Sequence, residues 1–503
     1  MNILDNVEGI SRKIVGGNPG KGGLTESEIE LCEVKKPQGG EAEQTWVVIH
    51  GYDASPEGEN IEPLIKEIVE KAGENDRVIA LDWREAAGVT GGTIGFGGGN
   101  GVAATWIGPT AQATVEALEE KFGIDSTNAQ EKLNLVGHSL GSLVSSEIGQ
   151  IYRTGTNRGG ERITAPNKLG VRTITALDPA AETNLRPDIV FGEESGYDVD
   201  GRVEGRQTPA DFAENSAFSR AYIGRKSFFG NPLFADSADE TYELDFGNLV
   251  DPILSKNREH NRVVKTFTNL IDRPGKIGEL LGYDSYQSLD TLPIEEFGDT
   301  DVTRRLRSRT YQGIIDIDSE NRPTLLTAYS QASSNDLIKI GDYLPDTIDG
   351  YIGNDKLFGE DLNDTLSGKS GNDILVGSVG NDRLSGDDLG NSFGDDILYG
   401  GTGTDWLTGN GGSDTFVFKT GDGSSDRSQA NLITDFEINV DRIGLIDINS
   451  DDLTFEGDSV DSAIKLGGEY LAVVEGVSLN EINNASQELT FYSNLDEADF
   501  EIV

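Results

Sequence analysis

Apolar residues in the first half of the chain occur at two different spacings. Short continuous apolar runs are typical of strands buried on both faces of a parallel sheet, and they occupy residues 45–49, 77–83, 133–136 and 171–177. Apolar residues at helical spacing follow the first three runs, at residues 61–69, 109–122 and 140–151. Strands that alternate with helices predict an α/β domain, a mostly parallel sheet flanked by helices, which we place at residues 45–275.

The segments around this pattern are less regular. The first 44 residues have little periodicity, so we expect a loose lead-in, and residues 276–345 are mixed and polar, which indicates a linker. Residues 201–245 lose the alternation and are rich in aromatic side chains, namely Phe212, Phe218, Tyr222, Phe228, Phe229 and Phe234. Such a stretch is a mobile lid over a site, a helical insertion or plain core packing, and the sequence leaves all three open.

A different pattern governs the chain after residue 345, where aspartate recurs in phase with an apolar residue two positions later. The aspartates lie nine residues apart, with one interval of fourteen, at Asp346, Asp355, Asp364, Asp373, Asp382, Asp396, Asp405 and Asp414. Glycine stands two or five residues before most of them. This periodicity predicts short strands that stack their apolar residues inward, with glycine-rich turns between them. A disordered acidic linker would explain the composition, but not the constant spacing between each aspartate and the apolar residue two positions later.

Charge supports a divalent cation as the partner of these turns. The chain has 88 acidic and 41 basic residues, a net charge of −47, and residues 346–503 hold 33 of the acidic residues but only 7 of the basic ones. Carboxylate and carbonyl oxygens are hard ligands that suit Ca²⁺. The same charge argues against nucleic acid or an anionic membrane surface as a partner.

The repeat resembles the nonapeptide G-G-x-G-x-D-x-U-x of RTX proteins. The resemblance implies a parallel β-roll over residues 346–420 with Ca²⁺ as cofactor, in which turns eighteen residues apart share an ion. The implied pairs are Asp355 with Asp373, Asp364 with Asp382, and Asp396 with Asp414; Asp405 completes the set of seven implied ligands. Leu362 replaces an expected glycine, and the five extra residues before Asp396 are expected to break the register once.

Residues 421–503 resemble the cap and the uncleaved C-terminal signal of type I secretion substrates, with the chain ending in Asp499-Phe500-Glu501-Ile502-Val503. The resemblance implies the type I secretion apparatus as a partner and an extracellular location. Cys32 is the sole cysteine, which alone would favour the cytosol. The first residues have no Sec-type signal, and we expect no transmembrane segment because no run of 18 apolar residues occurs.

Candidate catalytic chemistry begins at Gly137-His138-Ser139-Leu140-Gly141, a G-x-S-x-G motif. An apolar run precedes it and a helical pattern follows it, which is the context of a nucleophile elbow, so Ser139 is the candidate nucleophile. A serine nucleophile needs a base. Of the three histidines, only His260 fits the chain order of nucleophile, acid and histidine, because His50 precedes Ser139 and His138 lies inside the elbow.

The remaining roles follow from position. Asp178 ends the apolar run 171–177 and is the candidate acid, with Asp198, Asp200 and Asp251 as alternatives. Two backbone N–H groups are needed for the oxyanion, and they are expected from Leu140, which follows the nucleophile, and from Tyr52, in the loop after the first apolar run.

These motifs, together with Val48-Ile49-His50-Gly51-Tyr52, Ala176-Leu177-Asp178-Pro179-Ala180 and His260-Asn261-Arg262, resemble the pancreatic lipase superfamily over residues 45–270. The resemblance implies an α/β-hydrolase that cleaves a lipid or other carboxylic ester, most specifically a lipase acting on acylglycerols. The chain lacks the disulfides of that family. Phospholipase A1, short-chain carboxylesterase, and an inactive lipid-binding or surface-layer calcium protein stay open as alternatives.

Overall fold

The apolar runs of the first half of the chain form the centre of one sheet. In the computed structural model they are β3 (Thr45–Ile49), β4 (Arg77–Asp82), β5 (Leu133–His138) and β6 (Val171–Leu177). They pair in parallel in the order β4–β3–β5–β6. Every residue of β3 and β5 is buried, so both faces of the sheet are covered.

The structure describes residues 4, 7, 9–18, 23–51, 54–87, 106–157, 160–179, 212–224, 238–246, 255–271, 313–318, 322–329, 336–387, 394–485 and 490–495. The chain divides into two units, the first holding residues 1–272, 282–286 and 309–322, and the second holding residues 273–281, 287–308 and 323–503. The α-helices are α1 (Ile61–Lys71), α2 (Arg84–Ala87), α3 (Ile107–Phe122), α4 (Ala129–Lys132), α5 (Leu140–Thr154), α6 (Ser255–Ile271) and α7 (Leu479–Ala485).

Residues expected as a loose lead-in are strands of the same sheet. β1 (Gly9–Asn18) pairs antiparallel with β2 (Gly23–Lys35), which pairs antiparallel with β4. Their sequence hides this role, because charged residues alternate with the apolar ones that reach the core, such as Ile29 and Leu31. The expectation of a lead-in over residues 1–44 is therefore wrong: these strands extend the α/β sheet at its edge.

The opposite side of the sheet continues with three more parallel strands. β7 (Ser216–Gly224) pairs with β6, β8 (Glu240–Asp245) pairs with β7, and β9 (Gly313–Ile317) pairs with β8. The resulting order β1–β2–β4–β3–β5–β6–β7–β8–β9 is an α/β-hydrolase-type sheet, as the sequence predicted. Within the described parts of residues 201–245, Phe212 and Tyr222 are fully buried, which favours core packing over a lid or a helical insertion. Phe228, Phe229 and Phe234 lie outside the described residues.

The linker expected over residues 276–345 contains strands wherever it is described. Besides β9, these are β10 (Pro323–Tyr329) and β11 (Leu337–Ile340), which pair antiparallel in the second unit. β11 in turn pairs in parallel with the first repeat strand of its sheet. The β-roll therefore starts before residue 346, and its boundary was placed too late by the aspartate pattern.

The repeats build two parallel sheets from alternate strands. The first sheet continues from β11 through β13 (Lys356–Asp361), β15 (Ile374–Val379), β17 (Ile397–Thr402), β19 (Thr415–Lys419), β21 (Arg442–Ile446) and β25 (Thr490–Leu495). The second sheet contains β12 (Thr347–Ile352), β14 (Thr365–Ser370), β16 (Arg383–Asp387), β18 (Trp406–Thr408), β20 (Asn431–Ile433) and β24 (Glu469–Val474), and then β23 (Ser462–Leu466) and β22 (Leu453–Gly457) pair antiparallel.

The apolar residue of each repeat faces inward, as its phase predicted. All eight are at most 1 % exposed and share one core: Ile348, Leu357, Leu366, Leu375, Leu384, Leu398, Leu407 and Phe416. Leu357 pairs with Leu375 eighteen residues on, and Leu375 pairs with Leu398 across the five extra residues. The expected break in register is therefore wrong, since the insertion leaves the strands aligned.

This stacked core generates a stability prediction. Replacing Leu375 with Ala removes a fully buried side chain from the middle of the stack and should lower the free energy of unfolding of the calcium-loaded roll by about 2–5 kcal/mol. Val379→Ala is the matched control, because Val379 lies in the same strand but is 54 % exposed and should change stability by less than about 0.5 kcal/mol. Denaturant unfolding followed by circular dichroism measures both, and equal losses would contradict an inward-facing Leu375.

Candidate active site and calcium-binding loops

Ser139 occupies a strained turn between strand and helix. β5 ends at His138, α5 begins at Leu140, and Ser139 between them has φ 56° and ψ −124°, a backbone conformation that side chains other than glycine rarely adopt. Its N–H donates to the carbonyl of Leu177 at 3.0 Å. This is the geometry of a nucleophile elbow, in which a sharp turn presents the serine at the carboxyl edge of the sheet.

Two glycines of the motif make this turn sterically feasible. A Cβ on Gly137 would lie 2.5 Å from the carbonyl oxygen of Gly141, and a Cβ on Gly141 would overlap the carbonyl of Ile49. Gly51 approaches from the loop after β3, since a Cβ there would lie 2.7 Å from the Cβ of Ser139. The elbow, its helix and the loop after β3 therefore converge on the serine at van der Waals distance.

Asp178 and His260 are in direct contact. Asp178 follows β6, is fully buried, and its Oδ2 forms a hydrogen bond with Nδ1 of His260 on α6. The carboxylate is itself fixed, because its Oδ1 accepts from the N–H of Gly224 at 3.0 Å and its own N–H donates to the carbonyl of Tyr222 at 2.7 Å. With Nδ1 engaged by the aspartate, Nε2 is the nitrogen of His260 left to exchange a proton.

The other two histidines have structural surroundings. His50 is fully buried: its Nδ1 donates to the carbonyl of Gly51 at 2.8 Å and its Nε2 accepts from the N–H of Trp83 at 3.1 Å. Those contacts fix the chain where the loop after β3 begins. Their positions in the sequence had excluded both as the catalytic base, and the contacts of His50 agree with that exclusion.

His138 lies closer to the site than sequence reasoning anticipated. Its ring centroid is 4.5 Å from that of His260, and its Nε2 donates to the carbonyl of His260 at 3.3 Å. Burial lowers the pKa of His138 well below its usual value, and the neighbouring His260 lowers it further. His138 is therefore a neutral ring that packs against His260 and supports it; the sequence carried no signal of this contact beyond its place in the elbow.

The structure describes only one of the two residues predicted to donate an N–H to the oxyanion. Leu140 is buried as the first residue of α5, and the N–H groups of a first helical turn have no partner within the helix. Tyr52 lies outside the described residues, as do the alternative acids Asp198, Asp200 and Asp251. The assignments of Leu140 and Tyr52 to the oxyanion hole stay predictions.

The repeat aspartates form a buried ladder in the second unit. Asp355 accepts the N–H of Leu337 through Oδ1. Each later one accepts, through Oδ1, the N–H of the corresponding aspartate one turn earlier in the same sheet, as Asp373 accepts from Asp355 at 2.7 Å and Asp396 accepts from Asp373 at 2.8 Å. All seven are at most 2 % exposed: Asp355, Asp364, Asp373, Asp382, Asp396, Asp405 and Asp414. The ladder includes the three pairs that the RTX resemblance implied and continues across the insertion.

The second carboxylate oxygen of most of these aspartates is available for a cation. Among the described residues, Oδ2 is buried without a hydrogen-bond partner in Asp355, Asp364, Asp373, Asp382, Asp396 and Asp405. Glycine leaves room for it, since a Cβ on Gly350 would lie 2.5 Å from Oδ2 of Asp355 and 2.6 Å from the carbonyl oxygen of Gly368. Carboxylate and carbonyl oxygens that converge in a turn fit Ca²⁺. No three His, Cys, Asp or Glu side chains group as a metal centre within the described residues.

The nine-residue pattern missed two residues that continue the ladder, Asn431 and Asp441. Asp405 donates its N–H to Oδ1 of Asn431 at 2.9 Å, and Asp414 donates to Oδ1 of Asp441 at 3.0 Å. Both follow longer intervals, but each has an apolar residue two positions later, Ile433 and Ile443, which is the signal that could have found them.

Comparison with known proteins identifies the repeat. The model of the RTX calcium-binding nonapeptide repeat matches residues 340–366, 358–389 and 391–424. The second unit contains RTX repeats. No curated protein sequence matches the chain significantly.

Solved structures with low similarity to this chain include two hydrolases and one epimerase subunit. An α/β serine hydrolase without a lid from Xanthomonas campestris is 14 % identical over 46 % of this chain and 77 % of its own, with a TM-score of 0.24. An esterase from Pyrococcus furiosus is 14 % identical over 52 % and 91 %, with a TM-score of 0.28. A subunit from the Azotobacter vinelandii mannuronan C5-epimerase is 25 % identical over 26 % and 76 %, with a TM-score of 0.18. Among the described residues, no helix has the length and apolarity to span a membrane.

The buried ladder predicts how pH acts on the calcium-free roll. Burial raises the pKa of Asp373 to about 7 and that of Asp396 to about 9, from 3.8. Because the folded state holds these protons more tightly than the unfolded state does, their contribution to stability is complete below pH 4 and is lost as pH rises through 7 to 9. In chelator, the full-length protein should lose the circular dichroism signal of the roll at lower temperature at pH 8 than at pH 5.

Calcium is the control for that experiment. A bound cation favours the ionised carboxylates, so saturating Ca²⁺ should remove or reverse the destabilisation at pH 8. A calcium-free melting temperature that does not change between pH 5 and pH 8 would contradict the buried carboxylate ladder.

Proposed function

We propose that the first unit is a serine-dependent carboxylic ester hydrolase, most specifically a lipase acting on acylglycerols. The observation that carries the proposal is the Asp178–His260 hydrogen bond, formed by residues 82 positions apart, at the sheet edge where Ser139 occupies its strained elbow. Buried aspartate, histidine and elbow serine in this chain order are the components of an acyl-transfer site.

The proposed reaction proceeds through an acyl-enzyme. Oγ of Ser139 attacks the ester carbonyl while Nε2 of His260 takes the hydroxyl proton, and the imidazolium then gives that proton to the departing alcohol. Water, deprotonated by His260, attacks the acyl-serine and releases the carboxylic acid, which returns the serine to its starting state. Asp178 keeps Nδ1 of His260 protonated and stabilises the imidazolium, and the N–H groups of Leu140 and Tyr52 bind the oxyanion.

The substrate class rests on the sequence resemblance to the pancreatic lipase superfamily. Phospholipid sn-1 esters and short-chain esters are the competing substrates, and a panel separates them: emulsified triolein, phosphatidylcholine vesicles, and p-nitrophenyl esters of four to sixteen acyl carbons. Preferential turnover of triolein supports the lipase, whereas preference for phosphatidylcholine or for the butyrate ester supports one of the alternatives.

We propose that the roll serves a protein exported by the type I route and folded outside the cell. The RTX repeats support this, because a ladder of buried carboxylates is unfavourable without metal and favourable where Ca²⁺ is abundant. The proposed secretion signal at Asp499–Val503 lies outside the described residues.

Ser139→Ala tests the nucleophile. Removing Oγ should lower p-nitrophenyl ester hydrolysis by about 10⁴-fold or more, because acyl-enzyme formation becomes impossible and only binding and oxyanion stabilisation persist. Ser126→Ala is the matched control, since Ser126 lies in the turn after α3, outside the elbow, and should leave activity unchanged. Activity that survives in the Ser139 variant would exclude this mechanism, and a wild type inactive on every ester would favour a lipid-binding or surface-layer role.

Asp178→Asn tests the orienting contact. The amide matches the carboxylate in size but favours the wrong histidine tautomer and removes the charge that stabilises the imidazolium, so kcat should fall by about 10³–10⁴-fold with little change in KM. The calcium-dependent circular dichroism signal should stay as in wild type. A kcat within about tenfold of wild type would instead direct the search for the acid to Asp198, Asp200 or Asp251.

A further inference from the structure

Strands β3 and β4 end side by side, and Trp83 connects their ends by hydrogen bonds. The two strands pair in parallel as far as Ile49 and Leu81. Just beyond, the indole Nε1–H of Trp83 donates to the carbonyl of His50 at 2.7 Å, and the backbone N–H of Trp83 donates to Nε2 of His50 at 3.1 Å. One residue thus supplies two donors to the chain that leaves β3.

The contacts of Trp83 extend through His50 to Gly51. Because Nε2 of His50 accepts the N–H of Trp83, the neutral imidazole carries its proton on Nδ1, which donates to the carbonyl of Gly51 at 2.8 Å. The carbonyls of two consecutive peptides are therefore held, that of His50 by the indole and that of Gly51 through the imidazole. Across a planar trans peptide, a fixed carbonyl also fixes the direction of the N–H of the next residue.

Gly51 brings this held chain against the candidate nucleophile. A Cβ on Gly51 would lie 2.7 Å from Cβ of Ser139 and 3.3 Å from its Oγ. A displacement of Gly51 would therefore change the position of the following residue relative to Oγ. At a reacting centre, a misplacement of about 1 Å can cost about 100-fold in rate, so the bonds that hold Gly51 bear on the chemistry.

Burial makes these bonds persistent. Trp83 and His50 are both fully buried, and Trp83 belongs to the core of the first unit. Hydrogen bonds in such surroundings do not compete with water, and breaking one leaves a buried polar group without a partner. A phenyl ring at position 83 would satisfy the apolar packing, whereas the indole supplies a donor as well.

We propose that Trp83 is a positioning residue of the acyl-transfer site, which holds His50 and Gly51 so that the N–H following Gly51 is directed at the oxyanion. The inference rests on the proposed ester hydrolase function and on Tyr52 as the proposed donor. Trp83 acts through the two carbonyls rather than on the substrate. It therefore stabilises the transition state, where the oxyanion forms, more than it stabilises the bound substrate.

The test is Trp83→Phe in the full-length protein, which removes the indole donor but keeps an aromatic ring and the backbone N–H. For p-nitrophenyl butyrate, kcat should fall by about 10–100-fold while KM changes by less than about twofold. A trifluoromethyl ketone forms a hemiketal oxyanion with a nucleophilic serine, so its Ki should rise by about the same factor as kcat falls. A loss of folded protein lowers the measured rate but leaves the Ki of the active remainder unchanged, so Ki separates positioning from packing.

Tyr152→Phe is the matched control. Tyr152 is fully buried in the same core, near the end of α5, and its hydroxyl donates to the carbonyl of Ile124 at 2.8 Å. This variant also loses one buried bond from a side chain to a carbonyl, so its melting temperature should fall. Its kcat and its Ki for the ketone should stay within about twofold of wild type, because the lost bond lies away from the elbow.

A second variant decides the matter if Trp83→Phe does not fold. Placing 3-benzothienylalanine at position 83 keeps the shape of the bicyclic ring and replaces the indole N–H with sulphur, and Ki should rise in this variant too. An active wild type together with an unchanged Ki in a folded variant would overturn the positioning role and leave Trp83 as core packing. A wild type that hydrolyses no ester would instead overturn the proposed function, and this inference with it.

Discussion

Close approach of backbone to a charged or reactive side chain is the constraint on which both units depend, and glycine is what permits it. Around Ser139, the glycines at 137 and 141 let strand, turn and helix meet without overlap. In the roll, Gly350 leaves space for Oδ2 of Asp355 beside the carbonyl of the following turn. In a chain with 64 glycines, the same steric means thus permits close packing at both places.

The two units differ in how they stabilise a buried carboxylate. Asp178 is held by an N–H donor and a histidine, so its charge is satisfied by the protein itself. The ladder aspartates have one satisfied and one unsatisfied oxygen, so their ionised form depends on a cation that the protein must acquire. The carboxylate of Asp178 therefore has its partners within the protein, whereas the carboxylates of the RTX repeats keep an oxygen that suits Ca²⁺.

Sequence predicted the elements whose pattern is strong and local. Strands such as Thr45–Ile49 and Val171–Leu177 were predicted at their observed bounds, and the inward-facing leucines followed from their phase. The edge strands β1 and β2 were missed because exposed charged residues alternate with buried ones, as Glu28 and Glu30 do with Ile29 and Leu31, and mask the apolar pattern. Contacts set by tertiary packing, such as His138 against His260 and Asp387 against Gly394, leave no trace in spacing because their partners are fixed only when the chain folds.

Covalent trapping of the candidate nucleophile tests the account most directly. Diethyl p-nitrophenyl phosphate phosphorylates an activated serine and releases one equivalent of p-nitrophenol, and ordinary serine hydroxyls do not react because no base assists them. The calcium-loaded protein should release one equivalent per chain, with peptide mass spectrometry placing the diethylphosphoryl group on Ser139. No release by the folded protein, or a modification on a different residue, would contradict the assignment of Ser139, Asp178 and His260 to an acyl-transfer site.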